Sequence, residues 1–491
     1  MQAEVDMIVA TNEYEFKAEG TLYTLNQSIV QSVTPLSDIH YELDIDKPGH
    51  LNNLSEDQKS KLFDFWALLL EFLSSPFPKD FEPAASDKKN LALAETLKEN
   101  LSTSSTTSLS DTSSILSGEK SEAMKKHPLS NEFWIQLATD NPDSLILRFL
   151  RARKWDVAEA FSMFLESIKW RRRFGIQRIL QNGESCLKRQ IFESGKGYFW
   201  GTDRNKRLVI YLTARLHNRN EQTLQETTEY TVYQIETGRR LFFPGSETVT
   251  IVFDLENAPL SSFDLGSMQF MIQCFQNFYP ESLGKVLVLN APWIFWGFWK
   301  MIKPLLDPVV VGKIIFIDDY KEIQRHVHPD SLLEIYGGAC KYKFKYILPA
   351  CCSPSLASSS VSQDQKEPNF NLGSSAKSNN SSTSSLEFKP NGPVPLSDSE
   401  LDDILKRVEH LKDEFINATL HLCSLHRDRN LNIGEGLYFI WKSKREVIQL
   451  ELQQLYRRLE LYSVPDNFHH RLGVISRSSD NSRDEVSWKH F

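Results

Sequence analysis

Long apolar runs, grouped cysteines and catalytic signatures are what this 491-residue sequence has little of. Its most apolar stretch, 286–299, is broken by Asn290 and Pro292 and stops at Lys300, which is too short for a bilayer-spanning helix. The six cysteines (Cys186, Cys274, Cys340, Cys351, Cys352 and Cys423) are scattered, with no pair at zinc-ligand spacing. Reduced thiols are therefore expected, and no metal site. The first residues, Met1 to Asp6, are acidic and lack a basic segment followed by an apolar one. A cytoplasmic protein that meets membranes only transiently and peripherally is expected. A net charge of −8 excludes nucleic acid as a partner through bulk electrostatics, so any basic surface must be local.

Catalytic patterns are equally scarce. There is no G-x-S-x-G elbow and no H-E-x-x-H. Lys196 lies between Gly195 and Gly197, but Gln190 stands where a phosphate loop needs its first glycine, and Gly197 where it needs Ser or Thr. His326 and His328 fall in a polar stretch, and the spacing of His421, Cys423 and His426 does not bring all three to one helical face. A solvated surface is expected for both groups. No catalytic residue and no cofactor is predicted, and the chain is not expected to be an enzyme.

What is present is organised in blocks. Residues 1–54 carry no decisive signal. Ser55 and Gln58 form a capping box ahead of Phe63, Trp66, Leu69, Leu70 and Leu73 at helical spacing, which predicts a helix over 55–74. The polar tracts 75–127 and 351–396 cannot bury enough apolar area to offset ordering and are expected to be disordered. Residues 143–180 read as helices. Leu208–Leu212, Val249–Phe253, Lys285–Leu289 and Lys313–Ile317 read as strands, with helices over 222–238 and 263–278 between them. Strands apolar on both faces and separated by helices predict an α/β fold with a mainly parallel sheet. Ser397 and Glu400 open a helical hairpin over 397–465, free or packed on the main domain, with no function assigned and no protein partner known; 466–491 reads as a tail.

Two clusters stand out. Residues 292–302 contain Trp293, Phe295, Trp296, Phe298, Trp299 and Ile302, a segment apolar nearly all round a helix. Tryptophan suits a membrane–water boundary, and Lys300 and Lys303 can reach lipid phosphates from it. The basic run Arg148, Arg151, Arg153 and Lys154 suggests an anionic ligand or membrane, whereas Arg171, Arg172 and Arg173 read as a solvated helix face.

The order of motifs resembles a known family. Asp143 to Asp156 is similar to the helical lead-in of CRAL-TRIO lipid-binding proteins. Tyr279-Pro280-Glu281-Ser282-Leu283-Gly284-Lys285, then Asn290-Ala291-Pro292, resemble the centre of that fold, and Pro304 to Pro308 and Tyr336-Gly337-Gly338 its last part. The resemblance covers about 130–345, with the helix at 55–74 joining the lead-in. It implies a helical lead-in over 128–182, a lipid-binding domain over 183–350 whose sheet floors an apolar pocket, and a gate helix at about 293–306. The branch it resembles is the phosphatidylinositol transfer proteins of the secretory pathway. In that branch the head group is associated with an Arg-Lys pair, a Glu after Tyr-Pro, and a Thr and a Lys after Asp-Pro. Arg153, Lys154, Glu281 and Lys313 match; Val310 replaces the Thr. Val249 and Ile251 replace the small polar residues associated with phosphatidylcholine, and cannot hydrogen-bond a head group.

The resemblance therefore implies a carrier of one phospholipid, phosphatidylinositol, between membranes. The alternatives are a lipid-regulated sensor or scaffold, and a carrier of a sterol or another apolar lipid.

Overall fold

The structure, a computed structural model, describes residues 13–18, 21–26, 43–74, 129–136, 140–348, 397–427, 434–463, 467–472, 474–476, 485–486 and 488. The tracts expected to be disordered lie outside these residues. Within the first unit of the chain, Met1–Glu42, strands β1 (Glu13–Ala18) and β2 (Thr21–Asn26) pair antiparallel.

The second unit, Leu43–Phe491, begins with the helices α1 (Glu56–Ser74), α2 (Ser130–Ile135), α3 (Pro142–Ala152) and α4 (Val157–Phe174). Local chemistry fixes their ends. The predicted Ser55–Gln58 box closes through both of its hydrogen bonds (3.0 and 3.3 Å). Asn141 caps α3 through the amides of Asp143 and Ser144, with Pro142 in the first turn. Asp156 caps α4, which ends at Gly175 with φ +76°.

The sheet follows, ordered β3-β4-β5-β6-β7: Gly197–Thr202, Leu208–Thr213, Val249–Asp254, Leu283–Leu289 and Ile314–Ile317. The last four strands are parallel. Crossovers place α5 (Leu224–Leu241), α6 (Leu265–Gln273) and α7 (Phe295–Ile302) between them. The continuous apolar strands mean what was expected, because side chains are covered on both faces. Val209, Tyr211, Val252, Leu287 and Leu289 pack on one side, and Ile210, Val249 and Ile251 on the other. The helix expected over 263–278 is α only to Gln273 and continues as a π turn, Cys274–Phe278.

Strand β3 was not anticipated. It runs antiparallel to β4, with a register irregularity between Phe199 and Thr202 where Gly201 has φ +66°. Its glycines hide the strand pattern, yet Gly197 is needed: a Cβ there would sit 3.0 Å from Leu212 and 3.2 Å from Tyr230.

Helices α8 (Asp398–Arg427) and α9 (Gly434–Ser463) form the hairpin, which is not a free appendage. Ile404, Val408, Leu411, Phe415, Ile448 and Leu452 join Phe65, Trp66, Phe161 and Phe164 in one core. Arg445 seals it. Its guanidinium donates to both oxygens of Asp143 (2.7 and 2.8 Å) and lies over the Trp66 and Phe415 rings.

Other expectations are corrected. The segment read as a tail docks: the Phe468 amide and Arg471 both donate to Glu184 (2.6 Å each), and Trp488 packs edge-on against Trp200. Part of the uncertain N-terminal segment is also built in. Asp44 accepts from Thr248 (2.7 Å) and the Glu247 amide (3.0 Å). Burial pushes its carboxyl up, but the Lys47, Thr248 and amide hydrogen bonds prevail and hold it at about 2. Arg171 is not on a solvated face; it is buried and donates to Glu236 at 2.6 Å. Cys423 is buried, His421 stacks on Trp441 and His426 leans on Phe63. His326 is half-buried, with its Nδ1 3.3 Å from Lys285 Nζ. No group of three or more metal-ligating side chains occurs among the described residues.

Candidate functional site

One face of the sheet is left without a solid packing layer. Ile210 and Leu212 on β4, Val249, Ile251 and Phe253 on β5, and Val286 and Val288 on β6 alternate toward it at strand period. Between them and α5, α6 and α7 lies a cavity with two lobes, about 170 and 120 Å³. The lobes share walls, among them Ile251, Phe253, Met271 and Phe298, so they form one elongated space. Val249 and Ile251 lie on its floor, and Val310 lines the second lobe. At these three positions the lining is branched hydrocarbon.

Helix α7 closes the cavity. The segment expected as a helix over 293–306 is α-helical only over Phe295–Ile302, followed by a tighter turn, Lys303–Leu305. It is also less uniform than its composition suggests. Phe295, Phe298 and Ile302 are buried, and Trp299 is half-buried against the second lobe. Trp293 is 85% exposed and Trp296 44%, joined outside by Met301, Leu305 and Val309. Lys300 and Lys303 are exposed beside them. The helix thus has two apolar faces, one on the cavity and one on solvent. No helix among the described residues is long and apolar enough to cross a membrane.

The four head-group candidates lie on different stretches of the chain. Lys313, just before β7, donates from Nζ to the Leu283 carbonyl (2.8 Å) at the start of β6. Glu281, with φ +56°, sits two residues before Leu283, so these two share one rim of the sheet. Arg153 and Lys154 lie on the turn that ends α3, where Lys154 and Trp155 are both left-handed (φ +51° and +67°). Arg153 donates to the Ala152 carbonyl at 3.4 Å. The basic run divides by burial. Arg148 pairs with Asp140 (3.1 Å), and Arg151 with Glu247 (2.9 Å) and the Gly49 carbonyl (3.0 Å). Burial pulls the Arg151 guanidinium down from its ordinary value while the charges of Glu247 and Glu281 hold it up.

Behind that rim lies a buried chain of charges that the sequence did not reveal. Glu236 accepts from Arg171 (2.6 Å), from Arg239 (2.9 Å) and from the Tyr279 hydroxyl (2.6 Å), and Arg239 also pairs with Asp140. The two arginines outweigh burial and hold the Glu236 carboxyl far below the usual carboxylate range. Tyr279 stands directly before Pro280 and Glu281, so this network sets the backbone that presents Glu281. Lys196, which fails the phosphate-loop pattern in the sequence, is buried in the wall of the first lobe.

Two family models match. The one described as CRAL/TRIO domain covers residues 192–338, and the one described as CRAL/TRIO, N-terminal domain covers 95–166. A CRAL-TRIO domain-containing protein of Schizosaccharomyces pombe is 40% identical over 222 residues, 44% of this chain and 50% of its own length. The phosphatidylinositol transfer protein CSR1 of Eremothecium gossypii is 30% identical over 347 residues, 62% of this chain and 80% of its own. Matched against the crystal structure of Sfh5, the chain gives a TM-score of 0.33 at 20% identity, over 38% of this chain and 67% of that one. That likeness is too slight to argue from.

Proposed function

The chain belongs to the CRAL-TRIO family, and on that premise we propose that it carries one phospholipid, phosphatidylinositol, in the cavity beneath α7 and exchanges it between membranes without covalent chemistry. The observation that supports this most is the two-sided segment at α7: the helix walls an apolar cavity with its inner side, while Trp296 on its outer side and Trp293 just before it offer indole rings to solvent. The name of the Eremothecium relative points to the same ligand.

The energetics favour such a device. Each methylene moved from bilayer to water costs about 0.8 kcal/mol, so two acyl chains leave a membrane unaided only slowly. A cavity as apolar as the bilayer makes the transfer nearly isoenergetic. The remaining barrier is the gate. Displacing α7 uncovers Phe295, Phe298 and Ile302, at roughly 1.5–3 kcal/mol each if they face water. If Trp293 and Trp296 first enter the interface, those side chains meet lipid instead and the cost largely disappears.

Arg153, Lys154, Glu281 and Lys313 are assigned to the head group. Val310 supplies no hydroxyl, which forgoes about 1 kcal/mol relative to a hydrogen-bonding side chain. Val249 and Ile251 disfavour a second ligand whose polar head must rest on β5. In a vesicle assay, the double variant Trp293→Ala, Trp296→Ala is expected to transfer phosphatidylinositol about thirtyfold more slowly, since each lost indole forfeits about 1 kcal/mol of interfacial binding. Transfer at the wild-type rate would take α7 off the exit path.

A further inference from the structure

Resting on the reading of the cavity as a lipid site, we infer that helix α9 of the C-terminal hairpin clamps the cavity wall α5 through the pair Arg240–Glu460, and that this clamp sets how fast a bound lipid leaves. Helix α5 lines the first lobe with Tyr230, Gln234 and Gly238. Its last turn carries two consecutive arginines, Arg239 and Arg240, with different partners. Arg239 pairs with Glu236 (2.9 Å) and with Asp140. Arg240 donates to both oxygens of Glu460 on α9 (2.8 and 3.5 Å). The pair is largely covered, with the two side chains 13% and 22% exposed. Neither residue lines the cavity, so both are positioning residues.

A second contact from α9 converges on the same turn. Gln453 donates from Nε2 to the Asp140 carbonyl (3.1 Å), and the Asp140 carboxylate is the one that holds Arg239. Gln453 and Glu460 stand two helical turns apart, so they share one face of α9 at a separation of about 10 Å along its axis. Helix α9 therefore holds the end of α5 directly through Arg240 and, through Asp140, by way of Arg239. The clamp also has a fixed base. Leu452 is fully buried in the core shared with the lead-in, and Arg445 is bonded to Asp143 (2.7 and 2.8 Å).

The turn so held is the one where α5 bears most closely on the cavity. A Cβ on Gly238 would lie 2.7 Å from the Phe199 ring, so α5 and β3 are already in direct contact. Phe242, just after α5, lines the lobe together with Val249. Glu236, one turn before Arg240, accepts from the Tyr279 hydroxyl (2.6 Å), two residues before Glu281. An outward shift of this turn would widen the lobe and carry away the acceptor of Tyr279 at the same time. It would also part Arg240 from a mostly covered carboxylate, which is unfavourable. The clamp resists that shift, so lipid release depends on α5 and its hold on the hairpin as well as on α7.

The test loads the full chain with phosphatidylinositol carrying a pyrene-labelled acyl chain and follows its release to dioleoylphosphatidylcholine vesicles. The proteins compared are the wild type, Arg240→Ala, Glu460→Ala, the double variant, and Arg407→Ala. Arg407 pairs with both oxygens of Glu451 (2.7 and 2.9 Å), a contact internal to the hairpin, and serves as the control for losing an ion pair. Glu460→Ala leaves Arg240 its bond to the Glu236 carbonyl (3.4 Å), so this variant is expected to fold, and thermal unfolding checks each protein. Arg240→Ala and Glu460→Ala should each release lipid about fivefold faster, the worth of one hydrogen bond at a partly covered site. The double variant should release no faster than either, because both changes break one contact. Arg407→Ala should keep the wild-type rate. Wild-type release by both single variants, additive acceleration in the double variant, or equal acceleration by Arg407→Ala would overturn the clamp and leave the carrier reading intact. A wild type that takes up no labelled phosphatidylinositol would overturn both.

Discussion

At the scale of single residues, charge and burial combine in ways that a sequence does not display. Arg171 looked solvated because its neighbours Arg172 and Arg173 are also basic, but its acceptor, Glu236, lies 65 residues away. His469 is a sharper case. It is buried with Nε2 3.4 Å from the Phe199 carbonyl, and burial pulls its imidazole down to about 3. A histidine whose folded value lies below its unfolded value, near 6.5, favours folding fully above that pH and loses its contribution as the pH falls toward 3. Between pH 6.5 and 4.5 this loss is well separated from that of Asp44, which is held at about 2. The His469→Gln variant should therefore show a shallower fall in urea midpoint between those pH values than the wild type. Identical slopes would mean that His469 is protonated without leaving its site.

At the scale of elements, what was legible depended on whether the pattern was local. The four parallel strands were visible because cover on both faces leaves uninterrupted apolar runs, and the capping boxes at Ser55 and Ser397 were visible because both partners lie within three residues. Strand β3 was not, since its glycines break the run for reasons that exist only once Tyr230 and Leu212 are in place. The hairpin helices were legible as helices, but not their berth. That berth depends on Arg445 meeting Asp143 across 302 residues of sequence. Arg445→Met should lower stability by about 3 kcal/mol, because it strands the buried Asp143 carboxylate without its cation. Chemical denaturation measures this directly, and a loss under about 0.5 kcal/mol would show that the hairpin is held by its apolar face alone. The shared core also argues against treating 128–350 as self-sufficient: without α1, α8 and α9 it exposes Phe161, Phe164 and Phe133.

At the scale of the molecule, the second unit is built on a sheet with one face committed to packing and the other to a cavity, closed by a helix that buries Phe295, Phe298 and Ile302 and exposes Trp296 and Met301. Aromatic density and strand alternation are local properties, so the sequence singled out the segment 292–302 and the strand residues Val249 and Ile251, and the structure places them around the cavity. The sequence did not divide that segment between inside and outside: Phe295, Phe298 and Ile302 are buried, Trp293 and Trp296 exposed. Of the head-group candidates, Glu281 and Lys313 share a rim, while Arg153 and Lys154 stand on the turn after α3. The measurement that bears most directly on the carrier reading is mass spectrometry of the lipid extracted from the purified full-length protein and from its Lys313→Ala variant, with circular dichroism confirming that both are folded. The account predicts phosphatidylinositol in the wild type and its loss from the variant. A wild-type protein that yields another lipid, or a variant that retains phosphatidylinositol undiminished, would contradict it.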